Sequence, residues 1–249
     1  MLRDRPGGGE ATGGGVAPRS GSDRGARHEA RFSDWLRARS GPTWAAATHH
    51  RFMQELSSGR LDEAVFKRYL VHEYSFVKTS AAVLGYAIAY APSMDAKARL
   101  VDAARALTTE QRGYFERAFT ALGVPASERE PRVLHSSVLA FRDTVLGAAA
   151  HGGYEETLAT MLAAEWMYLT WSKRAAGRLP PHPLYKEWIS IHVSPAFEAH
   201  VSWMRGELDA LGPLIPAYHQ AQVAYVFRRT LELEVGFHDA AYPRGGAAR

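Results

Sequence analysis

Leu158–Trp171 reads LATMLAAEWMYLTW, and this stretch decides the fold. Leu, Ala, Met and Glu are strong helix formers, and the segment is apolar on almost every side, so it predicts a helix buried in a core. Leu158, Met161, Leu162, Glu165, Tyr168 and Leu169 share one helical face. Glu165 therefore stands where a hydrophobe is expected.

Outward from this helix, the breaks are Gly- and Pro-rich and the segments between them have helical period. Phe32, Trp35 and Leu36 mark a short amphipathic helix, Gly41-Pro42 breaks it, and a second runs from Thr43 to Leu56. Leu61–Tyr90 is long, with Phe66, Tyr69, Leu70, Glu73, Phe76 and Leu84 on one face. Met94–Leu122 follows as one long helix with a charged, water-facing side, then Leu134–Ala150. Beyond Leu179-Pro-Pro-His-Pro183 come a short helix to Ile191 and another opened by Ser194-Pro195, an N-cap with proline at the first helical position. The last helix, Pro216–Tyr242, carries Val223, Phe227, Thr230, Glu234, Phe237 and Ala241 inward, while Glu232 pairs outward with Arg228 and Arg229. No segment alternates like a strand. The prediction is an all-α helical bundle with one domain at 28–243, a disordered Gly/Arg-rich extension at 1–27 and a flexible C-terminal tail at 244–249.

Composition removes several function classes. With no cysteine among 249 residues, disulfides, thiolate metal sites and a cysteine nucleophile are excluded, and a cytoplasmic location is the expectation. Half of the formal net charge of +4 lies in residues 1–28, where five arginines face three acids. No helix has a one-sided basic stripe, so no nucleic-acid partner is expected. No stretch approaches the roughly 20 apolar residues of a membrane span, so no membrane partner is expected either. Gly-rich phosphate loops, nucleophile elbows and zinc spacings are missing.

Glu73, Glu165 and Glu234 come from three separate helices, each on an apolar face. Burying an unpaired carboxylate costs several kcal/mol, so each needs a reason. Two readings stay open: separate pairing with a core histidine, tyrosine or arginine, or convergence on one polar pocket. A di-iron centre needs Glu-x-x-His on two helices, which this chain lacks, so no metal and no cofactor are expected. A pocket of carboxylates and aromatics suits a nitrogen-rich ring, whose exocyclic amine and ring nitrogens match a carboxyl group. His49-His50 reads as bordering the second helix with no acid beside it, and His182 as a turn residue; His238-Asp239, followed by Tyr242, is a further candidate because it lies close behind Glu234, the alternative being that Asp239 pairs with an arginine one turn away.

The segments FKRYLVHEYSFV (66–77), MLAAEWMYLTW (161–171), HPLYKEWI (182–189) and ELEVGFHDAAY (232–242), in this order and at this separation, resemble the TenA/thiaminase II family across about residues 29–243. The resemblance implies a heme-oxygenase-like fold, thiamine-pyrimidine salvage and a homo-oligomer, tetramer or dimer, with Trp203 and Tyr225 as candidate interface anchors. It also implies that Glu73 grips an aminopyrimidine ring, that Glu234 is the catalytic acid, and that Phe76, Tyr168, His192, Phe237 and Tyr69 surround the substrate. The family's nucleophilic Pro-Cys is Ala163-Ala164 here, as in its cysteine-lacking branch, and Glu165 adjoins the vacated position as a second catalytic candidate. The expected activity is an aminopyrimidine aminohydrolase converting 4-amino-5-aminomethyl-2-methylpyrimidine to the hydroxymethyl pyrimidine. A non-catalytic pyrimidine-binding or regulatory protein, or an oxidase of the wider heme-oxygenase-like class, are the alternatives.

Overall fold

The computed structural model describes residues 31–243. The extension at 1–27 and the tail at 244–249 lie outside the described residues. Every regular element among those described is helical: α1 (Phe32–Arg39), α2 (Gly41–Thr48), α3 (Arg51–Ser57), α4 (Glu63–Tyr90), α5 (Met94–Ala106), α6 (Arg112–Ala121), α7 (Ala126–Arg129), α8 (Ser136–His151), α9 (Tyr154–Ala176), α10 (Pro183–Ile191), α11 (Pro195–Leu211) and α12 (Ala217–Asp239).

The organising stretch is the body of α9, which packs against α12, α11, α8, α4, α2 and α10. Leu158, Leu162, Ala163 and Met167 are fully enclosed. A helix apolar all round must be covered all round, and each buried Leu or Met contributes about 2 kcal/mol by leaving water. Gly153, with φ 86°, makes the turn that launches α9. That left-handed conformation is open to glycine at no steric cost. Caps fix the other starts: Asp62 accepts from the Ala64 and Val65 N–H groups at 2.8 and 3.2 Å, and Ser194 accepts from Phe197 N–H at 3.2 Å as the Ser-Pro pair predicts.

Three local expectations are corrected. The second helix is two helices, because His50 turns extended (φ −56°, ψ 145°) and its Nδ1 accepts from Phe52 N–H, capping α3. His50 also has an acid, since its Nε2 lies 3.2 Å from Asp239, whose arginine partner is Arg51 of α3 at 3.4 Å rather than a neighbour on its own helix. The long charged helix is interrupted by a π-turn at Leu107–Gln111 between α5 and α6. Glu232 does pair with Arg228 and Arg229, at 3.5 and 3.0 Å. Tyr225 is exposed, whereas Trp203 is partly buried against the core and stacks on His200. No described helix is long and apolar enough to cross a membrane.

Candidate active site

α4, α5, α8, α9, α11 and α12 enclose a cavity of about 510 Å³. Its wall explains why the inward faces of α4 and α9 are not uniformly apolar. The lower end of the α4 face, Phe66, Tyr69 and Leu70, is sealed in the core. Glu73, Phe76, Val77 and Ser80, one to three turns on, open into the cavity. On α9, Thr160, Met161, Ala164, Glu165 and Tyr168 line it together. Ala164 and Glu165 point about 100° apart, yet both reach the same space because the cavity wraps around that side of α9.

The three glutamates thus share one cavity. Phe76, Tyr168 and His192 line it as well. Tyr69 and Phe237, expected beside the substrate, are not among the lining residues: Tyr69 is 0% and Phe237 1% exposed. Each acts one layer back. Phe237 packs edge-on against Phe76 and Phe141 at 5.8 Å, and Phe141 in turn stacks on Phe76 at 4.4 Å and lines the cavity.

Tyr69 belongs to a hydrogen-bonded chain that sequence did not reveal. Tyr69 Oη lies 2.8 Å from Tyr168 Oη, Tyr168 Oη lies 3.1 Å from His238 Nε2, and His238 Nδ1 lies 2.7 Å from the carbonyl oxygen of Glu234. A carbonyl only accepts, so Nδ1 carries the proton. Burial pushes the His238 pKa down to about 3, helped by the nearby His50, so the ring is neutral and Nε2 is a bare acceptor. Tyr168 therefore donates to His238, and Tyr69 donates to Tyr168. The only proton of Tyr69 is committed, and its oxygen is left facing Glu73 as an acceptor.

That polarity bears on the acids. Burial pushes Glu73 up to about 8, and the Tyr69 hydroxyl works in the other direction only by donating a proton it has already given to Tyr168. Glu73 opens into the cavity but protein surrounds it otherwise, and burial favours its neutral form at pH 7. Glu234, 3% exposed, is raised well above the usual range by burial and then by Glu73. At the 3.6 Å approach of His238 Nδ1 to Glu234 Oε2, burial disfavours the charged form of both partners. Glu165 differs: its Oε2 lies 3.3 Å from His200 Nε2 of α11.

Two acids held toward neutrality by burial, and a third beside an imidazole, place hydrogen-bonding and proton-transfer groups within one aromatic-walled space. Sequence reading missed His200 and Phe141, and marked His238 only as lying close behind Glu234. Only His238 left a signal, its i+4 spacing from Glu234. A separate group, Glu155, Glu156 and His219, brings ligand-type atoms within 4.8 Å of one another, but none of them lines the cavity, and His219 Nε2 already meets Glu156 Oε1 at 2.9 Å.

An all-α body whose central helix exposes a carboxylate to an acid-lined cavity defines the class. The chain belongs to the TENA/THI-4/PQQC family, which it matches over residues 37–244. It is similar to an aminopyrimidine aminohydrolase of Halalkalibacterium halodurans, 25% identical over 218 residues that cover 85% of this chain and 95% of that protein. An aminopyrimidine aminohydrolase of Bacillus subtilis is also 25% identical over 218 residues, with 87% and 92% covered. Among solved structures, a TenA homologue from Pyrococcus furiosus superposes with a TM-score of 0.77 at 22% identity, over 85% of this chain and all of that one.

Proposed function

We propose that the protein is an aminopyrimidine aminohydrolase of thiamine-pyrimidine salvage, replacing the 5-aminomethyl amine of 4-amino-5-aminomethyl-2-methylpyrimidine with a hydroxyl. The observation that carries this reading is that Glu73 and Glu234, both pushed toward their neutral forms by burial, face one aromatic-walled cavity. A neutral carboxyl group has one donor and one acceptor side by side, the complement of a ring nitrogen next to an exocyclic amine. Glu73 takes that edge of the ring: its O–H donates to the ring nitrogen and its carbonyl accepts from the amine. Acceptance from the ring amine strengthens its electron push through the ring toward the methylene, which loosens the bond to the leaving group, while the O–H contact to the ring nitrogen fixes the register of the ring. Glu234 delivers its proton to the departing amine, and Glu165 serves as base for water. Phe76, Tyr168 and His192 hold the ring plane; Tyr69 and Phe237 fix those residues from behind.

Without a thiol at position 164, a covalent intermediate on sulfur is closed, and direct hydrolysis is the remaining route. The names of the two relatives support the same substrate class. Purified protein incubated with the aminomethyl pyrimidine releases ammonia and the hydroxymethyl pyrimidine in equal amounts; unchanged substrate across pH 6–9 refutes the assignment. We further infer a cytoplasmic homo-oligomer, tetramer or dimer, which light scattering on the eluting protein tests.

A further inference from the structure

Glu165 has an unusual setting for the base of a hydrolytic step. Its Oε2 is buried without an aligned hydrogen bond, and His200 Nε2 lies 3.3 Å from it, within ion-pair distance. Both side chains remain open to the cavity, at 28% and 17% exposure. His200 stacks on Trp203 at 5.8 Å, which holds its ring in place. Burial alone lowers the His200 pKa and Arg99 works the same way, but the attraction and contact of Glu165 outweigh both and leave it raised. The charged and titratable groups around this part of the cavity are Glu165 on α9, Arg99 and Asp102 on α5, and His192 at the end of α10.

His192 supplies a second element. Its Nδ1 lies 2.8 Å from the carbonyl oxygen of Trp188, so that nitrogen carries the proton. Burial pushes its pKa down to about 4, so the ring is neutral and Nε2 is a bare acceptor, bonded by no donor among the described residues. The ring stacks on Tyr168 at 4.7 Å, one turn beyond Ala164. Ala164, which ends at Cβ, lines the same cavity as both acceptors. A water needs two or more polar partners to be held, and two acceptors bind both its protons while turning its lone pairs outward.

We propose that His200 is a positioning residue of the hydrolytic step: it holds Glu165 as the base of a water seat beside Ala164, where Glu165 and His192 Nε2 each accept one proton of the attacking water. The proposal rests on the aminohydrolase reading. The water oxygen bonds to the methylene carbon as the C–N bond breaks. The electron pair leaves with nitrogen, which takes the Glu234 proton, and Glu165 takes the proton released by water. One water is consumed and one ammonia leaves. Transfer of that proton back to Glu234 through the cavity water resets the site.

The test compares His200→Gln, His200→Lys, Glu165→Gln and the Glu165→Gln/His200→Gln double variant in steady-state turnover of the aminomethyl pyrimidine. Loss of alignment at a reacting group costs on the order of 10²-fold in rate. The expected result is such a fall in kcat for His200→Gln with KM unchanged, partial recovery in His200→Lys, and a double variant no slower than Glu165→Gln. Wild-type kcat in His200→Gln, or a loss carried by KM, overturns the proposal. NMR titration of His200 separates the two readings: its midpoint falls in Glu165→Gln when the pair exists, whatever the substrate. An inactive wild type with that shift refutes the aminohydrolase reading; an unshifted midpoint refutes the pair.

Discussion

Replacing Glu73 by glutamine tests the acid character of the cavity without any substrate. Below pH 4.5 both the folded and the unfolded chain hold the Glu73 proton. Above it the unfolded chain releases the proton while the folded chain, whose carboxyl titrates near 8, retains it. The unfolded state therefore binds fewer protons, and stability falls as pH rises through this window. At about 1.4 kcal/mol per pKa unit, the 4.5 to 8 displacement sets a ceiling of about 5 kcal/mol, fully developed above pH 8. Cavity water reaches Glu73 and relieves part of this, so about 2 kcal/mol is the expected gain in the difference between variant and wild type from pH 5 to pH 8. Glutamine has the same shape, donates to the free Tyr69 oxygen and has no proton to lose. Removing the second acid also relieves Glu234, which acts in the same direction. For a domain of this size the effect corresponds to a rise of about 4–8 °C in the Tm difference. Thermal unfolding followed by calorimetry at matched ionic strength reads it. A Tm difference that stays flat between pH 5 and 8.5 refutes the argument that burial keeps Glu73 neutral.

Three further outcomes follow from the geometry. Tyr168→Phe leaves the Tyr69 hydroxyl and His238 Nε2 without partners, so it lowers stability by about 2–4 kcal/mol in denaturant titration. Glu234→Gln keeps the carboxyl's shape but not its transferable proton, so kcat falls on the order of 10²- to 10⁴-fold while calorimetry finds pyrimidine binding retained. Ala164→Cys puts the chain's only thiol on the cavity wall; it alkylates once with iodoacetamide, and an aminopyrimidine ligand slows that labelling.

Much of the architecture was legible because burial leaves a period. α9, α4 and α12 announce themselves by apolar faces, and the three glutamates stand out against those faces. What stayed hidden depends on the angles at which helices meet. Nothing local links Glu165 to His200, since α10 and two turns intervene, or Tyr69 to Tyr168 and His238. Arg99, Asp102 and Glu110 read as a solvent face, yet all three line the cavity. A water-filled wall has the same polarity as a surface, so pattern alone does not distinguish them. The π-turn at Leu107–Gln111 is equally silent: Thr108 and Thr109 lower helix propensity only slightly, and nothing in the pattern marks the extra residue of the turn. The histidines at 49 and 50 misled for a different reason: the acid that accompanies His50 is Asp239, at the far end of the chain.

The main-chain anchor of the Tyr69–Tyr168–His238 chain has a genetic consequence. Because His238 gives its Nδ1 proton to a peptide carbonyl, no side-chain change at position 234 rewires the network so long as α12 stays helical. A substitution such as Glu234→Gln therefore removes the acid while leaving the His238 tautomer intact. The inheritance of proton direction resides instead in the identity of residue 238, where a single codon change to a side chain that donates toward Tyr168 would reverse every hydroxyl back to Glu73.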